Sequence, residues 1–282
     1  MERMPALFIG HGSPMNTLEL NGFTRAWRAL GTALPKPRAI LVVSAHWYIG
    51  STAVTAMARP RTIHDFYGFP QPLVDFEYPA IGAPDVAAEV VEAIKPDWAG
   101  LDQDQWGLDH GTWSVLAHLY PHADVPVLQL SINALKPFDY HLALGARLSP
   151  LRDQGVLILS SGNVVHNLRL VDWDQPTAGA DWAQRFDEAV RAQMADDPSK
   201  MLKLSEHPDY AKAVPTPDHY IPLLYTAGIA AAEGWSQSLI QGYSLGSLSM
   251  TSYNVGPRLD LPCEAEGTAD LPADVPADQT NI

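Results

Sequence analysis

His11, His46 and His166 each follow a short apolar segment that is typical of a buried strand. These segments are Ala6–Ile9, Ile40–Val43 and Val156–Leu159. In open α/β sheets, ligands bind outside the carboxyl ends of the strands. Imidazole nitrogens are common ligands of Zn²⁺ and Fe²⁺ in proteins. The pattern therefore predicts a multi-histidine metal site at one edge of a sheet.

The residues around His11 leave other interpretations open. Gly10 and Gly12 flank it, and glycine permits close backbone approach and unusual φ angles, which suits a crowded metal site. The same residues also fit a tight turn with an incidental histidine. A dinucleotide-binding loop is a third interpretation, but Met15 stands where the third glycine of that motif belongs.

Three further histidines lie in informative surroundings. His219 lies in the proline-rich segment 215–222, which is either a stiff ligand-presenting loop or a plain boundary between elements. His110 follows Asp109, which either orients an imidazole or caps a helix. His64 belongs to an aromatic segment that either lines a pocket or packs in the core. No His-Glu-x-x-His motif is present, so the fold must assemble the site.

Continuous apolar strands alternate with amphipathic segments along the chain. The predicted strands are Ala6–Ile9, Ala39–Val43, Val125–Ile132 and Val156–Leu159. The predicted helices are Phe23–Leu34, Pro84–Ile94, Gly111–Tyr120 and Asp181–Met194. A final strand pair, Ser238–Gln241 and Ser247–Tyr253, is predicted to run antiparallel to the rest of the sheet. This alternation predicts a single α/β domain with a central mixed, mostly parallel sheet flanked by helices. The metal site is expected at the carboxyl ends of the strands.

Residues 257–282 differ in composition from the rest of the chain. Arg258 is their one basic residue against six acidic ones, and four prolines interrupt any pattern. The sequence therefore predicts one domain over residues 1–256 and an acidic, disordered tail over 257–282.

Composition excludes several classes of protein. The formal net charge of −14 argues against nucleic acid as a partner. No apolar run approaches the roughly 20 residues that cross a bilayer. The single cysteine, Cys263, excludes a disulfide framework and a thiolate metal cluster. With no secretory signal expected at Met1–Pro5, the predicted location is the cytoplasm.

At these same histidines the chain resembles the 4,5-DOPA extradiol dioxygenases of the class III extradiol ring-cleaving superfamily. The resemblance runs to about Gly256 and is carried, in family order, by Met4–Asn16, Val43–Trp47, Thr62–Phe66, Trp106–Gly111, Ser161–Leu168 and Pro215–Tyr220. It implies an enzyme that opens the ring of a catechol with O₂. L-DOPA or a related catechol would be the substrate, and 4,5-cleavage would give a semialdehyde.

The resemblance also implies the metal ligands. His11 and His46 match two ligands of one divalent metal ion, Zn²⁺ or Fe²⁺. Better-studied relatives use a glutamate as the third ligand, whereas the matching loop here offers His219. Fe²⁺ suits oxygen activation, and three imidazoles also suit Zn²⁺.

The remaining site residues are assigned in the same way. His166 matches the catalytic acid/base and is counted as a fourth metal contact in some members, and His110 matches a second catalytic pocket histidine. His64 and Ser13 are candidate substrate-binding residues. Two alternatives remain: a zinc hydrolase that uses the same histidines, and a metal- or aromatic-binding module without turnover. The sequence predicts no oligomeric state.

Overall fold

The computed structural model describes residues 3–261 and 265–282, so Cys263 lies outside the described residues. The strands are β1 (Ala6–Gly10), β2 (Ala39–Ile49), β3 (Ala53–Thr55), β4 (Gly100–Asp102), β5 (Val127–Asn133), β6 (Val156–Gly162), β7 (Gln237–Ile240), β8 (Tyr243–Ser244), β9 (Leu248–Ser249) and β10 (Ser252–Val255). The α-helices are α1 (Gly22–Ala33), α2 (Gln71–Val74), α3 (Pro84–Ala93), α4 (His110–Leu119), α5 (Phe138–Leu148), α6 (Asp181–Asp196), α7 (Tyr210–Ala213) and α8 (Ile221–Glu233). Within the described ranges, none of the helices has the length and apolar character needed to span a membrane.

Eight strands form one mixed sheet in the order β4-β3-β5-β2-β6-β1-β10-β7. The four central strands β5, β2, β6 and β1 are parallel to one another. Antiparallel pairs join β3 to β5 on one side and β10 to β1 and β7 on the other. The predicted α/β fold with a mostly parallel sheet is therefore confirmed. Of the final strand pair, β10 runs antiparallel to β1, as predicted, whereas β7 runs antiparallel to β10 and so in the direction of the central strands.

The central strands are apolar on both faces because helices cover both faces. Along β2, Ile40 and Val42 join the core that α1 and α4 build on one side. Leu41 and Val43 join the opposite core, which contains side chains of α3, α5, α6 and α8. Successive side chains of a strand point to opposite faces, so one continuous apolar run serves both cores.

The described part of 257–282 lies against the domain. Leu271 and Ile282 are buried, and Gly22 donates a backbone hydrogen bond to the carbonyl of Glu266 at 2.9 Å. The tail's predicted disorder stays a prediction. Its acidic composition gave no sign of these apolar contacts.

Arg152 ties three chain segments together from a position that is 1% exposed. Its guanidinium donates to the carbonyl of Met4 at 2.7 Å, to that of Val255 at 2.8 Å and to Glu233 at 3.1 Å. These residues precede β1, end β10 and end α8 respectively. One buried cation therefore satisfies acceptors at three element ends.

We predict that Arg152→Met lowers the free energy of unfolding by about 3 kcal/mol, because it leaves buried acceptors without a donor. Urea denaturation followed by circular dichroism measures the change. The matched control is Arg185→Met, which breaks the ion pair between Asp209 and an Arg185 side chain that is 58% exposed. Its expected loss of unfolding free energy is below about 1 kcal/mol. Equal losses in the two variants would contradict the role given to Arg152.

Candidate metal centre

The carboxyl ends of β1, β6 and β2 lie level with one another. Ser161 of β6 is paired with Ile9 of β1 on one side and with Ser44 of β2 on the other. His11 follows the last residue of β1, and His46 lies two residues beyond Ser44. The parallel register therefore brings His11 and His46 together, as predicted. The expectation that the second strand ends before His46 is wrong, because β2 continues to Ile49 and His46 lies where its pairing with β5 is interrupted, between Val43 and Tyr48.

Glycines allow the chain segments at this edge of the sheet to pack closely. Gly10 lies so close to Met250 that a Cβ atom would stand 2.7 Å from the backbone carbon of Met250, and Gly12 has a φ of +60°. Gly111, in the first turn of α4, packs against the site itself. A Cβ atom there would stand 2.9 Å from Cδ2 of His46. The close approach and unusual φ expected of the glycines around His11 are both present.

The His11 ring is buried and oriented by Ser161. Its Nδ1 lies 2.9 Å from the Ser161 hydroxyl, which donates its own hydrogen to the carbonyl of Gly111 at 2.5 Å. Because that hydrogen is committed to Gly111, the hydroxyl accepts from Nδ1–H of His11. Nε2 of His11 is then the unprotonated nitrogen, which is the form that binds a metal ion.

Asp65 holds two imidazoles at once. Its carboxylate lies 2.9 Å from Nδ1 of His110 and 3.2 Å from Nδ1 of His46. Nδ1 of His110 donates a hydrogen bond to one oxygen of Asp65, and Nδ1 of His46 lies within ion-pair distance of the other, so both rings present Nε2 to the site. Nε2 of His46 lies 3.3 Å from Nε2 of His11.

His219 has its own carboxylate partner. Nδ1 of His219 contacts the carboxylate of the preceding residue, Asp218. The ring of His166 is stacked on that of His219, with centroids 3.6 Å apart and an interplanar angle of 1°. His166 is partly exposed, whereas His219 is buried. His166 therefore lies on the open side of the cluster, and its contact with a metal ion stays a prediction.

The cluster has the chemistry of a metal site. Among the described residues, Nε2 of His110 and Nε2 of His219 are buried and have no hydrogen-bond partner. A buried nitrogen without a partner is costly unless something absent from the chain binds it. His11, His46 and His110 also bring ring nitrogens within 4.8 Å of one another. The residues present therefore fit a divalent ion.

The ring centroids and the ring nitrogens point to different third ligands. Imidazoles that bind one tetrahedral ion through nitrogen at about 2.1 Å have centroids about 5 Å apart. The centroids of His11, His46 and His219 form a triangle with sides of 5.0, 5.2 and 5.3 Å, whereas the His110 centroid lies only 3.8 Å from that of His46. The described residues whose ring nitrogens all lie within 4.8 Å of one another are instead His11, His46 and His110. The third ligand therefore stays a prediction.

Burial keeps most of these imidazoles neutral. Burial lowers the pKa of His11 and His166 well below the ordinary value, and neighbouring histidines add to the effect. Burial also lowers the pKa of His110 and His219, against the opposing attraction of their carboxylates. For His46, burial lowers the pKa, but Asp65 together with the carboxylates of Asp109 and Asp218 outweighs burial, so the pKa is raised. Neutral imidazoles are the form that ligates metals.

A cleft of about 420 Å³ opens beside the cluster, a size suited to a small molecule. His46, His166 and His219 line it, with Tyr48 and Arg169 on its walls.

The two candidate substrate residues lie elsewhere in the described structure. The Ser13 hydroxyl donates to the carbonyl of Asp270 at 2.7 Å. Nε2 of His64 lies 2.8 Å from the carbonyl of Phe76. Neither residue lines the cleft beside the cluster. Their roles in substrate binding stay predictions that this geometry does not support.

Comparisons with known proteins identify the family. Residues 6–254 match the family described as the catalytic LigB subunit of aromatic ring-opening dioxygenase. The chain belongs to this family. It is 47% identical over 258 residues to a 4,5-DOPA dioxygenase extradiol of Escherichia coli K12, with 90% of this chain and 95% of that protein covered. A 4,5-DOPA dioxygenase extradiol of Beta vulgaris is 33% identical over 262 residues, with 87% and 94% covered.

A solved structure gives the same answer for the fold. An uncharacterized protein of Escherichia coli K12 superposes with a TM-score of 0.79 at 44% sequence identity. The superposition covers 90% of this chain and all of that one. The predicted family and the predicted enzyme class, an extradiol ring-cleaving dioxygenase, are therefore confirmed.

Three residues that orient the dioxygenase histidines were given no role by the sequence. They are Asp65, Asp218 and Ser161, which contact Nδ1 atoms of the cluster. A signal for two of them was present, because Asp218 precedes a predicted ligand and Asp65 lies in a histidine motif. Metal-binding imidazoles usually donate their second nitrogen to a carboxylate. Asp109, in contrast, caps α4 by accepting from the backbone of Thr112 at 3.1 Å, which confirms its interpretation as a helix cap.

We predict that Asp65→Asn weakens Zn²⁺ binding by about 10- to 100-fold. An amide offers one acceptor oxygen, so it cannot accept from His46 and His110 together. Titration of metal-free protein with Zn²⁺ in a calorimeter measures the affinity. Asp75→Asn, which alters an exposed carboxylate bonded to Gln71, is the matched control. Unchanged affinity in Asp65→Asn would show that the shared carboxylate does not position these ligands.

Proposed function

We propose that this dioxygenase acts on L-DOPA or a related catechol and cleaves the ring between carbons 4 and 5. Both atoms of O₂ enter the product, a ring-opened semialdehyde. The observation that carries the proposal is a cluster of five imidazoles, of which those of His46, His166 and His219 line a cleft of about 420 Å³. Relatives of Escherichia coli, Beta vulgaris, Mirabilis jalapa and Portulaca grandiflora carry the name 4,5-DOPA dioxygenase extradiol, which supports the substrate class.

We further propose that His11, His46 and His219 hold one divalent metal ion. Their ring triangle and the buried free nitrogen of His219 support this set. Fe²⁺ is the proposed working ion, since it supplies the redox chemistry that activates O₂, whereas Zn²⁺ fits the same imidazoles.

His166 and His110 are proposed to handle protons. His166 lines the cleft and is partly exposed to it, so a catechol hydroxyl can reach its ring. A neutral imidazole accepts the hydroxyl proton and returns it later to an oxygen of the opening ring. His110 is held by Asp65 and keeps Nε2 free, which suits it to orient a substrate oxygen.

The proposed partners are therefore the catechol and O₂, with no nucleic acid or membrane partner. The proposed location is the cytoplasm, because a single cysteine in 282 residues offers no disulfide framework for an oxidising compartment.

The third ligand is tested by two matched substitutions. We predict that His219→Ala abolishes stoichiometric binding of one Zn²⁺ per chain, because only two imidazoles of the triangle remain. His110→Ala is expected to retain one Zn²⁺ per chain. Elemental analysis of dialysed protein measures both. The reverse pattern would assign the third position to His110.

The catalytic role of His166 predicts a loss of rate without a loss of metal. His166→Gln is expected to lower kcat by about 10²- to 10⁴-fold, the usual contribution of a general acid/base. Oxygen uptake by Fe²⁺-loaded protein with L-DOPA measures the rate, and iron analysis measures the metal. His122→Gln, at an exposed position, is the control. A normal rate in His166→Gln would remove this residue from the mechanism.

Labelled oxygen separates the dioxygenase from the zinc hydrolase. With ¹⁸O₂, mass spectrometry of the ring-opened product is expected to show two labelled atoms before exchange with water. A hydrolase would act equally well under argon and give an unlabelled product. Absence of oxygen uptake across a panel of catechols, with a full complement of Fe²⁺, would overturn the proposed function.

A further inference from the structure

The cleft beside the histidines has a wall that lies outside the matched part of the chain. The family match ends at residue 254, yet Asp278, Asn281 and Ile282 line the cleft together with His46, His166 and His219. Ile282 is 2% exposed. This wall, residues 277–282, is therefore an integral part of the site in this chain.

Specific contacts hold the wall in place. The side-chain amide of Asn281 donates to the backbone carbonyl of Asp65. The backbone of Tyr67 donates to the carbonyl of Thr280 at 3.0 Å. Asp65 is the residue that orients two imidazoles, so the wall is attached directly to the loop that supports the metal centre.

One cation lines this cleft in the described part of the chain, and it is Arg169. It lies three residues after His166, in the short 3₁₀ turn Leu168–Leu170. The Arg169 side chain is 80% exposed, and its Nε lies 3.5 Å from the carboxylate of Asp278. Among the described residues, the wall therefore places an acidic side chain beside the one arginine that lines the cleft.

We propose that Arg169 determines specificity by binding the carboxylate of a carboxylate-bearing catechol, and that Asp278 competes with the substrate for the same guanidinium. The inference rests on the proposed function, since it names the substrate class of that site. Without substrate, the Asp278 carboxylate occupies the position at Arg169 that a substrate carboxylate takes when it binds.

The geometry suits exchange rather than a permanent ion pair. The contact is a single long one, whereas a guanidinium binds a well-placed carboxylate through two parallel hydrogen bonds. Exposed ion pairs of this kind are weak. A substrate anchored through its ring oxygens at the histidines presents its carboxylate to Arg169 within the same cleft, as a tethered group that competes with the tethered carboxylate of Asp278.

Paired catechols give a sharp test. The probes are 3,4-dihydroxyphenylacetate, which carries a carboxylate, and 4-methylcatechol, which does not. Calorimetric titration under argon of Zn²⁺-loaded protein gives the ratio of the two Kd values without turnover, and oxygen uptake by Fe²⁺-loaded protein gives the ratio of kcat/KM. Each ratio cancels differences in the fraction of metal-loaded protein.

Arg169→Gln is expected to lower the preference for the carboxylated probe about tenfold. Arg169→Lys is expected to lower it less, because lysine keeps the charge but cannot form the two parallel hydrogen bonds of a guanidinium. Asp278→Asn is expected to raise the preference about two- to fivefold, the range for an exposed ion pair. The preference in Arg185→Gln, at a remote surface position, is the control value.

The double variant tests whether Asp278 acts through Arg169. Asp278→Asn is expected to have no effect in the Arg169→Gln background. An equal rise in both backgrounds would show a general charge effect and overturn the competition. Unchanged preference in Arg169→Gln would overturn the specificity role. If no catechol consumes O₂ while the binding preference responds as expected, the proposed function fails and the recognition of carboxylates stands.

Discussion

The in-register parallel pairing of β1, β6 and β2 is the constraint on which the site depends. Ser161 stands between Ile9 and Ser44 in this ladder, and its hydroxyl also orients the ring of His11. A slip of one residue in either pair would turn every side chain of that strand to the opposite face. The two apolar cores forbid such a slip, so the packing of the sheet fixes the positions of the first two histidines.

The loops then add what the strands cannot supply. Asp65 and Asp218 hold three imidazoles by their Nδ1 atoms and leave Nε2 atoms facing inward. Five imidazoles packed this closely would repel one another if they were protonated. Burial opposes protonation of most of them, and a metal ion would supply the positive charge that the carboxylates balance. The cluster is therefore built for a cation that binds between neutral rings.

Sequence reasoning reached the parts of the molecule that local pattern specifies. Long apolar runs gave the central strands, and with them the placement of His11 directly after β1 and of His46 beyond the apolar part of β2. It did not predict β3 and β4, because each has only three residues. It also did not predict the span of α8, because that helix is buried nearly all round and so lacks an amphipathic period. Asp65 was passed over in favour of His64 because a loop residue's partner depends on tertiary structure.

The chemistry and the selectivity of this enzyme reside in different parts of the chain. The histidine cluster lies within residues 6–254, the part that matches the family, and sheet register positions His11 and His46. The outer wall of the cleft comes from residues 277–282. The side chain of Asn281 and the backbone of Thr280 attach this wall to the backbone of Asp65 and Tyr67, so Asp278 can change without altering those attachments. Ring opening and the choice of catechol can therefore diverge independently.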